Sequence, residues 1–245
     1  MINLKGKKIL VTGASSGIGK GIAILLSELG ADLIITGRNH TKLLDTHKLL
    51  QTNNNLIIVA DITIDEEIDK IADQIEGVDG IVFCAGVIDY QPVKFLTREK
   101  IRQIFNINFE SHVLLTQKML KKKKINKQSS LVYISSLSSK LGVGGTSLYA
   151  SSKAALSAFA RVLAVELAVK KIRVNAISPG IIKTPMFETE DLSISKDLID
   201  EAEKNYPLGY GRVEDVASYV AFLLSDSSTW ITGTDHILDG GFTLN

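Results

Sequence analysis

Short apolar runs alternate with amphipathic stretches along the whole chain. Ile9-Leu10-Val11 and residues 32–36, 56–60, 80–84, 131–135, 172–177 and 234–238 are nearly continuous in aliphatic side chains. Such runs predict strands buried on both faces. Between them the apolar positions take helical spacing: Ile22, Ala23, Leu25, Leu26 and Leu29 after the first run, Leu43, Leu44, Leu49 and Leu50 over 41–51, and Ile68, Ile71, Ala72 and Ile75 over 65–76. Longer helices are predicted over 97–123 and 148–169, and another over 213–224. Residues 191–206 are polar, with a helical portion near their end. This alternation predicts an α/β fold: a doubly wound parallel sheet of about seven strands with helices on both faces and right-handed crossovers.

A chain of 245 residues can bury a full core and fits one domain, 1–245. The formal net charge of +1 gives no electrostatic case for nucleic acid or a membrane surface. No apolar run reaches the roughly 18 residues of a membrane span, the longest candidate, 154–169, being broken by Arg161 and Glu166, and Met1 leads into the first strand without a signal-like region, so a cytoplasmic protein is expected. The single cysteine, Cys84, excludes an intrachain disulfide. His40, His47, His112 and His236 lack metal-ligand spacing, and no metal is expected. The one charge run, Lys121 to Lys124, reads as a solvated helix end.

Candidate chemistry lies where predicted strands end, the side on which open α/β sheets bind ligands. Gly13, Ser15, Ser16, Gly17, Ile18 and Gly19 form a glycine-rich turn between the first strand and helix. Backbone N–H groups and the positive end of a helix dipole suit a pyrophosphate there. After the second strand, Gly37 stands where a ribose-binding carboxylate is expected in an NAD site. Arg38 follows, and a guanidinium can hold a 2′-phosphate; NADP(H) is favoured, with NAD(H) possible. Asp61 ends the third strand, placed either for an adenine amino group or as a turn former. Ala85-Gly86 after the fourth strand lets backbone lie close to a cofactor. Tyr149 and Lys153 share a helix face. A phenol is a weak acid, with a reference pKa near 10; a nearby ammonium favours its phenolate and makes it a usable proton donor and acceptor. Ser136 ends the fifth strand, and Asn108 lies in the first long helix.

Taken in order, the Thr-Gly-x-x-x-Gly-Ile-Gly turn at 12–19, Ala85-Gly86, Asn108, Ser136, Tyr149-x-x-x-Lys153 and Pro179-Gly180 resemble the short-chain dehydrogenase/reductase family in its single-domain form. The resemblance runs from Gly6 to Gly241. It implies a Rossmann-like fold and an oxidoreductase that interconverts a ketone and a secondary alcohol with a nicotinamide cofactor. Tyr149 would be the general acid and base, Ser136 would orient the carbonyl oxygen, and Lys153 would bind the nicotinamide ribose and depress the pKa of Tyr149. Asn108 would hold a water that feeds protons. Ile62, Pro179, Gly180, Ile182 and Thr184 would join the cofactor site, Ile182 through its backbone to the carboxamide. Two features depart from the family's habits. Phe83-Cys84-Ala85-Gly86 replaces a common Asn-Asn-Ala-Gly run, and Ser16 stands where NADP-preferring members often carry Arg or Lys.

The resemblance further implies a substrate-covering lid, about 185–211, with Met186, Phe187, Leu192, Ile194, Leu198, Ile199, Tyr206, Leu208 and Tyr210 as a mixed apolar cover. A modest, partly apolar ketone suits it. The nearest general likeness is to the 3-oxoacyl-thioester reductases, which dock an acidic acyl-carrier protein on a basic surface; Lys121 to Lys124, Lys127, Lys170 and Lys171 could supply one. The alternatives are a secondary-alcohol, sugar or steroid-type dehydrogenase, and a catalytically silent dinucleotide-sensing regulator. Family members pair their two long helices across subunits, so a homotetramer or homodimer is expected.

Overall fold

The computed structural model describes residues 2–184 and 203–244. Seven strands form one sheet: β1 (Lys8–Thr12), β2 (Asp32–Gly37), β3 (Leu56–Val59), β4 (Val78–Phe83), β5 (Ile125–Ile134), β6 (Arg173–Pro179) and β7 (Asp235–Leu238). Their order is β3-β2-β1-β4-β5-β6-β7, and every neighbouring pair is parallel. The direction of winding reverses between β1 and β4, which opens a crevice at the carboxyl ends of those strands.

Each strand sends alternate residues to opposite faces. Leu10 joins one buried layer with Ile68, Ile71, Leu115, Met119, Leu156 and Leu163. Its neighbours Ile9 and Val11 join the other, with Ile22, Leu26, Val216 and Val220. Helices α3 (Asp65–Gln74), α5 (Ser111–Lys121) and α6 (Ser147–Leu167) therefore cover one face, and α1 (Gly17–Glu28) and α7 (Val213–Leu224) the other. Helix α2 (His40–His47) buries Leu43 on the second side.

Three segments differ from the sequence pattern. The helix expected over 97–123 consists of α4 (Arg98–Phe105), a π-turn at Asn106–Glu110 and α5. Such turns insert an extra residue without breaking the helix, so the apolar periodicity hardly registers them. Strand β5 begins at Ile125 rather than 131, a start the apolar pattern misses because 126–129 is polar; Gln128 takes φ 64°, and the pairing with β4 shifts between Val78 and Gly80. The lysine run is a reversal: α5 ends at Lys121, Lys123 adopts φ 57°, and the Lys124 carbonyl accepts from Val78 N at 2.9 Å. It thus enters β5 at the amino end of the sheet, as Lys170 and Lys171 enter β6. These lysines therefore lie at the end of the sheet away from Ser136. Lys122 is already paired with Asp69 and Asp73, at 2.9 and 2.8 Å.

Candidate active site

The turn between β1 and α1 is built by close approach. Gly13 has φ +68°, and a Cβ there would lie 2.8 Å from Ala85 Cα, in backbone that cannot yield. The glycine lets the β1–α1 turn touch the chain leaving β4. Thr12 pins the same junction: its hydroxyl oxygen accepts from Cys84 N at 3.0 Å and Ala85 N at 3.2 Å. Ser16 sits at the N-cap of α1 without a side-chain capping bond, and the first turn holds no acidic residue. The helix end therefore presents unneutralised N–H groups and no competing anion, which fits a dinucleotide's phosphates. Thr184 lies against Gly17 from across the crevice, 3.8 Å from where a Cβ would be.

At the end of β2, Arg38 is two-thirds exposed and stands 3.8 Å from the Asp61 carboxylate. Ser15 lies over Gly37. Asp61 is a turn former as well: its Oδ1 accepts from Thr63 N at 3.0 Å and Thr63 Oγ1 at 2.7 Å. Only the other oxygen faces Arg38. Ile62 is buried beside it.

Asn108 is fully buried in the π-turn. Its Oδ1 accepts from Val87 N at 2.8 Å, and its Nδ2 donates to Val87 O at 2.9 Å and Ser152 Oγ at 3.1 Å. The amide thus clamps the loop after Gly86 through Val87 and reaches α6 through Ser152. Gly86 packs between two functional groups; a Cβ there would lie 3.2 Å from Asn108 Oδ1 and 3.3 Å from Lys153 Nζ.

Lys153 is 4% exposed and donates from Nζ to Ile134 O at 2.8 Å. Burial lowers its pKa to about 8. Its own carbonyl accepts from Ser135 Oγ at 3.0 Å, which ties α6 to the end of β5. Ser136 follows directly and caps a single 3-10 turn at Leu137–Ser139, its Oγ accepting from Ser138 N at 3.2 Å. Tyr149 is one turn before Lys153 on α6, with Lys153 Nζ 5.9 Å from its ring centroid. The fold thus collects Ser136, Tyr149, Lys153 and Asn108 around the ends of β4 and β5.

Beyond β6, Gly180 N donates to Leu238 O at 2.9 Å. Ile182 bridges Gly211 in parallel register: Gly211 N donates to Ile181 O, and Lys183 N to Gly211 O. In extended chain the intervening N–H and C=O of Ile182 point the other way. They are free of this bridge, which fits a carboxamide partner. The lid positions 185–202, with Met186, Phe187, Leu192, Ile194, Leu198 and Ile199, lie outside the described residues. Tyr206 and Tyr210 are buried against one another, and Leu208 is exposed.

Two participants escaped the sequence pattern. His112 is fully buried on α5, its Nε2 2.8 Å from Ala85 O; burial, with the Lys153 charge, drives its pKa to about 3, so it is a neutral donor that fixes the Ala85 carbonyl. Ser152 completes the partners of Asn108. A lone histidine at a helical core position gives no signal of such a bond, and a serine inside Tyr149-Ala150-Ser151-Ser152-Lys153 reads as helix surface.

The comparisons with known proteins agree with the fold. The family profile described as enoyl-(acyl carrier protein) reductase matches residues 13–243. A 3-oxoacyl-(acyl-carrier-protein) reductase of Rickettsia bellii is 35% identical over 245 residues, covering 100% of both chains. An L-xylulose reductase of Caenorhabditis elegans is 33% identical, covering 98% of this chain and 96% of its own. Among solved structures, a short-chain type dehydrogenase/reductase from Mycobacterium ulcerans superposes with a TM-score of 0.90 at 30% identity, over 99% of this chain and 92% of that one. Fold, strand-end glycines and sequence define a nicotinamide-dinucleotide oxidoreductase acting on carbonyl and hydroxyl groups. The chain belongs to the short-chain dehydrogenase/reductase family.

Proposed function

We propose that the chain reduces a partly apolar ketone, with a 3-oxoacyl thioester as the favoured substrate class, and prefers NADPH. The observation that carries the reading is Lys153: a cation buried at the end of β5, one helical turn from Tyr149 and beside Ser136 and Gly86. A charge is costly to bury, and a site that holds one near a phenol has a use for it.

When bound, the nicotinamide supplies a hydride to the carbonyl carbon. The chain's own groups do the rest. Ser136 Oγ donates to the substrate oxygen and orients it. Tyr149 delivers the proton to that oxygen, and Lys153 stabilises the phenolate left behind and holds the nicotinamide ribose. Gly13, Ser15, Ser16, Gly17, Ile18 and Gly19 cradle the phosphates, Ala85 and Gly86 admit the cofactor to the sheet edge, and the backbone of Ile182, with Pro179, Gly180 and Thr184 around it, meets the carboxamide. Arg38 takes the 2′-phosphate, exchanging its long contact with Asp61 for a charge-assisted one. Asn108 positions this apparatus by clamping Val87.

Support for an apolar ketone comes from the rim. The loops leaving β4 and β5 expose Tyr90, Val93, Phe95 and Val143, and Gln91 N donates to Gly145 O at 2.7 Å to join them. The R. bellii relative is named for a carrier-bound 3-oxoacyl substrate, and an L-rhamnose 1-dehydrogenase of Thermoplasma acidophilum, 29% identical, is named for NADP(+). The L-xylulose reductase likeness favours a second reading, a sugar substrate. Steady-state kinetics with NADPH and NADH over 3-oxoacyl thioesters, simple ketones and sugars tests all of this. Highest kcat/KM with a 3-oxoacyl thioester and NADPH is expected; faster turnover of sugars or of NADH overturns the substrate or cofactor assignment, and saturable cofactor binding without turnover returns the silent regulator. Val162 and Val165, exposed along α6, and Val169, exposed in the turn that follows it, support pairing with a second copy, which sedimentation velocity measures.

A further inference from the structure

Asp235 is a buried carboxylate that the reaction as described does not use. It lies at the start of β7 with its side chain 6% exposed, on strand pairing Ala176↔Asp235. Its Oδ1 accepts from Ser178 Oγ at 2.7 Å and its Oδ2 from Lys140 Nζ at 2.8 Å. Burial alone would raise its pKa, but the bonds from Lys140 and Ser178 outweigh it and hold the group below the usual carboxylate range, so it stays ionised.

What these partners do is more telling than the pair. Lys140 closes the single turn that Ser136 caps, and its N–H donates to Leu137 O at 2.9 Å. The chain beyond it, at Gly142, Val143 and Gly144, is exposed. Ser178 is the last residue before Pro179-Gly180, which lead to Ile182. One carboxylate therefore ties the turn bearing Ser136 to the end of β6.

We propose that Asp235, acting through Lys140, is a positioning residue that fixes the Ser136 hydroxyl against the oxygen of the substrate. The proposal rests on the role assigned to Ser136 above. The ion pair fastens the turn at its far end, and its lower exposure makes it stronger than a surface pair. Releasing it lets Ser136 swing while the dinucleotide cradle, at β1 and α1, is untouched. A misplacement of about 1 Å can cost much of the rate.

The test is a double-mutant cycle on kcat, using NADPH and the ketone turned over fastest in the substrate panel. Asp235→Asn is expected to lower kcat about tenfold, with the NADPH Kd, read by cofactor fluorescence, within about twofold of wild type. Lys140→Met should match it and Lys140→Arg should recover most of the loss. In a Ser136→Ala background, Asp235→Asn should cost nothing further, because the group it positions is gone. Losses that multiply in the double variant, or a kcat for Asp235→Asn and Lys140→Met equal to wild type, overturn the proposal. A Ser136→Ala enzyme as active as wild type defeats the Ser136 assignment itself, and this proposal with it, as does the absence of any ketone turnover. Should Asp235→Asn fail to fold, the one-third-exposed Lys140 carries the same cycle alone.

Discussion

Lys153 Nζ donates at 2.8 Å to the carbonyl of Ile134, the last residue of β5 and two residues before Ser136. The ammonium is thus fixed at the mouth of the sheet by backbone. Among the described residues no carboxylate pairs with it: the causes acting on its pKa are burial, which lowers it to about 8, and Cys84, which opposes. The charge is kept available at a cost to the fold.

That cost predicts a pH-dependent stability. Below pH about 8 the lysine is protonated folded and unfolded alike, and the burial penalty is fully present. Between that value and its ordinary 10.5 the unfolded chain holds more protons, so stability rises with pH. Lys153→Met should therefore stabilise the cofactor-free protein by on the order of 3 kcal/mol below pH 8, a gain that fades as the pH approaches 10.5. Denaturant unfolding across that range measures it. The same variant should lose about 100-fold or more in kcat.

Tyr149→Phe should lower kcat by about 10³-fold, within the range for a lost acid–base group, and leave the NADPH Kd within about threefold. Kinetics with fluorescence titration separates the two effects. Retained turnover would remove the proton-transfer assignment.

Arg38→Ala should reduce kcat/KM for NADPH about 10- to 100-fold while leaving NADH nearly unchanged, because only the 2′-phosphate is lost as a partner. Removing Arg38 also frees Asp61, so a small gain with NADH is expected. Equal losses with both cofactors would place Arg38 outside the 2′-phosphate site.

Gly86→Ala brings a methyl to 3.3 Å from Lys153 Nζ and 3.2 Å from Asn108 Oδ1. The lysine tip is the softer neighbour and should shift by a few tenths of an ångström. A kcat loss of about tenfold with a stability change under about 1 kcal/mol is expected. Thermal unfolding beside kinetics distinguishes this from general damage.

Much of the fold was legible because buried parallel strands are continuous apolar runs and their crossover helices repeat at 3.6 residues. The polar start of β5 and the π-turn at Asn106–Glu110 were not, since neither alters apolar periodicity. The glycines at 13 and 86, with Tyr149 and Lys153, stood out for the same kind of reason: each need is local, a close approach or a four-residue spacing on one helix. His112 and Asp235 did not, because their partners lie 27 and 95 residues away.

The chain's order of apolar and amphipathic segments determined a parallel sheet, its helices, and the strand ends at which a dinucleotide can lie, because burial and periodicity are properties of neighbours in sequence. Only tertiary structure decided that Asn108 clamps Val87, that Asp61 divides itself between a turn and Arg38, and that the lysine run lies at the far end of the sheet. Hydrogen bonds and ion pairs act over about 3 Å, and which groups come that close is fixed only when the crossovers have folded back upon the strands.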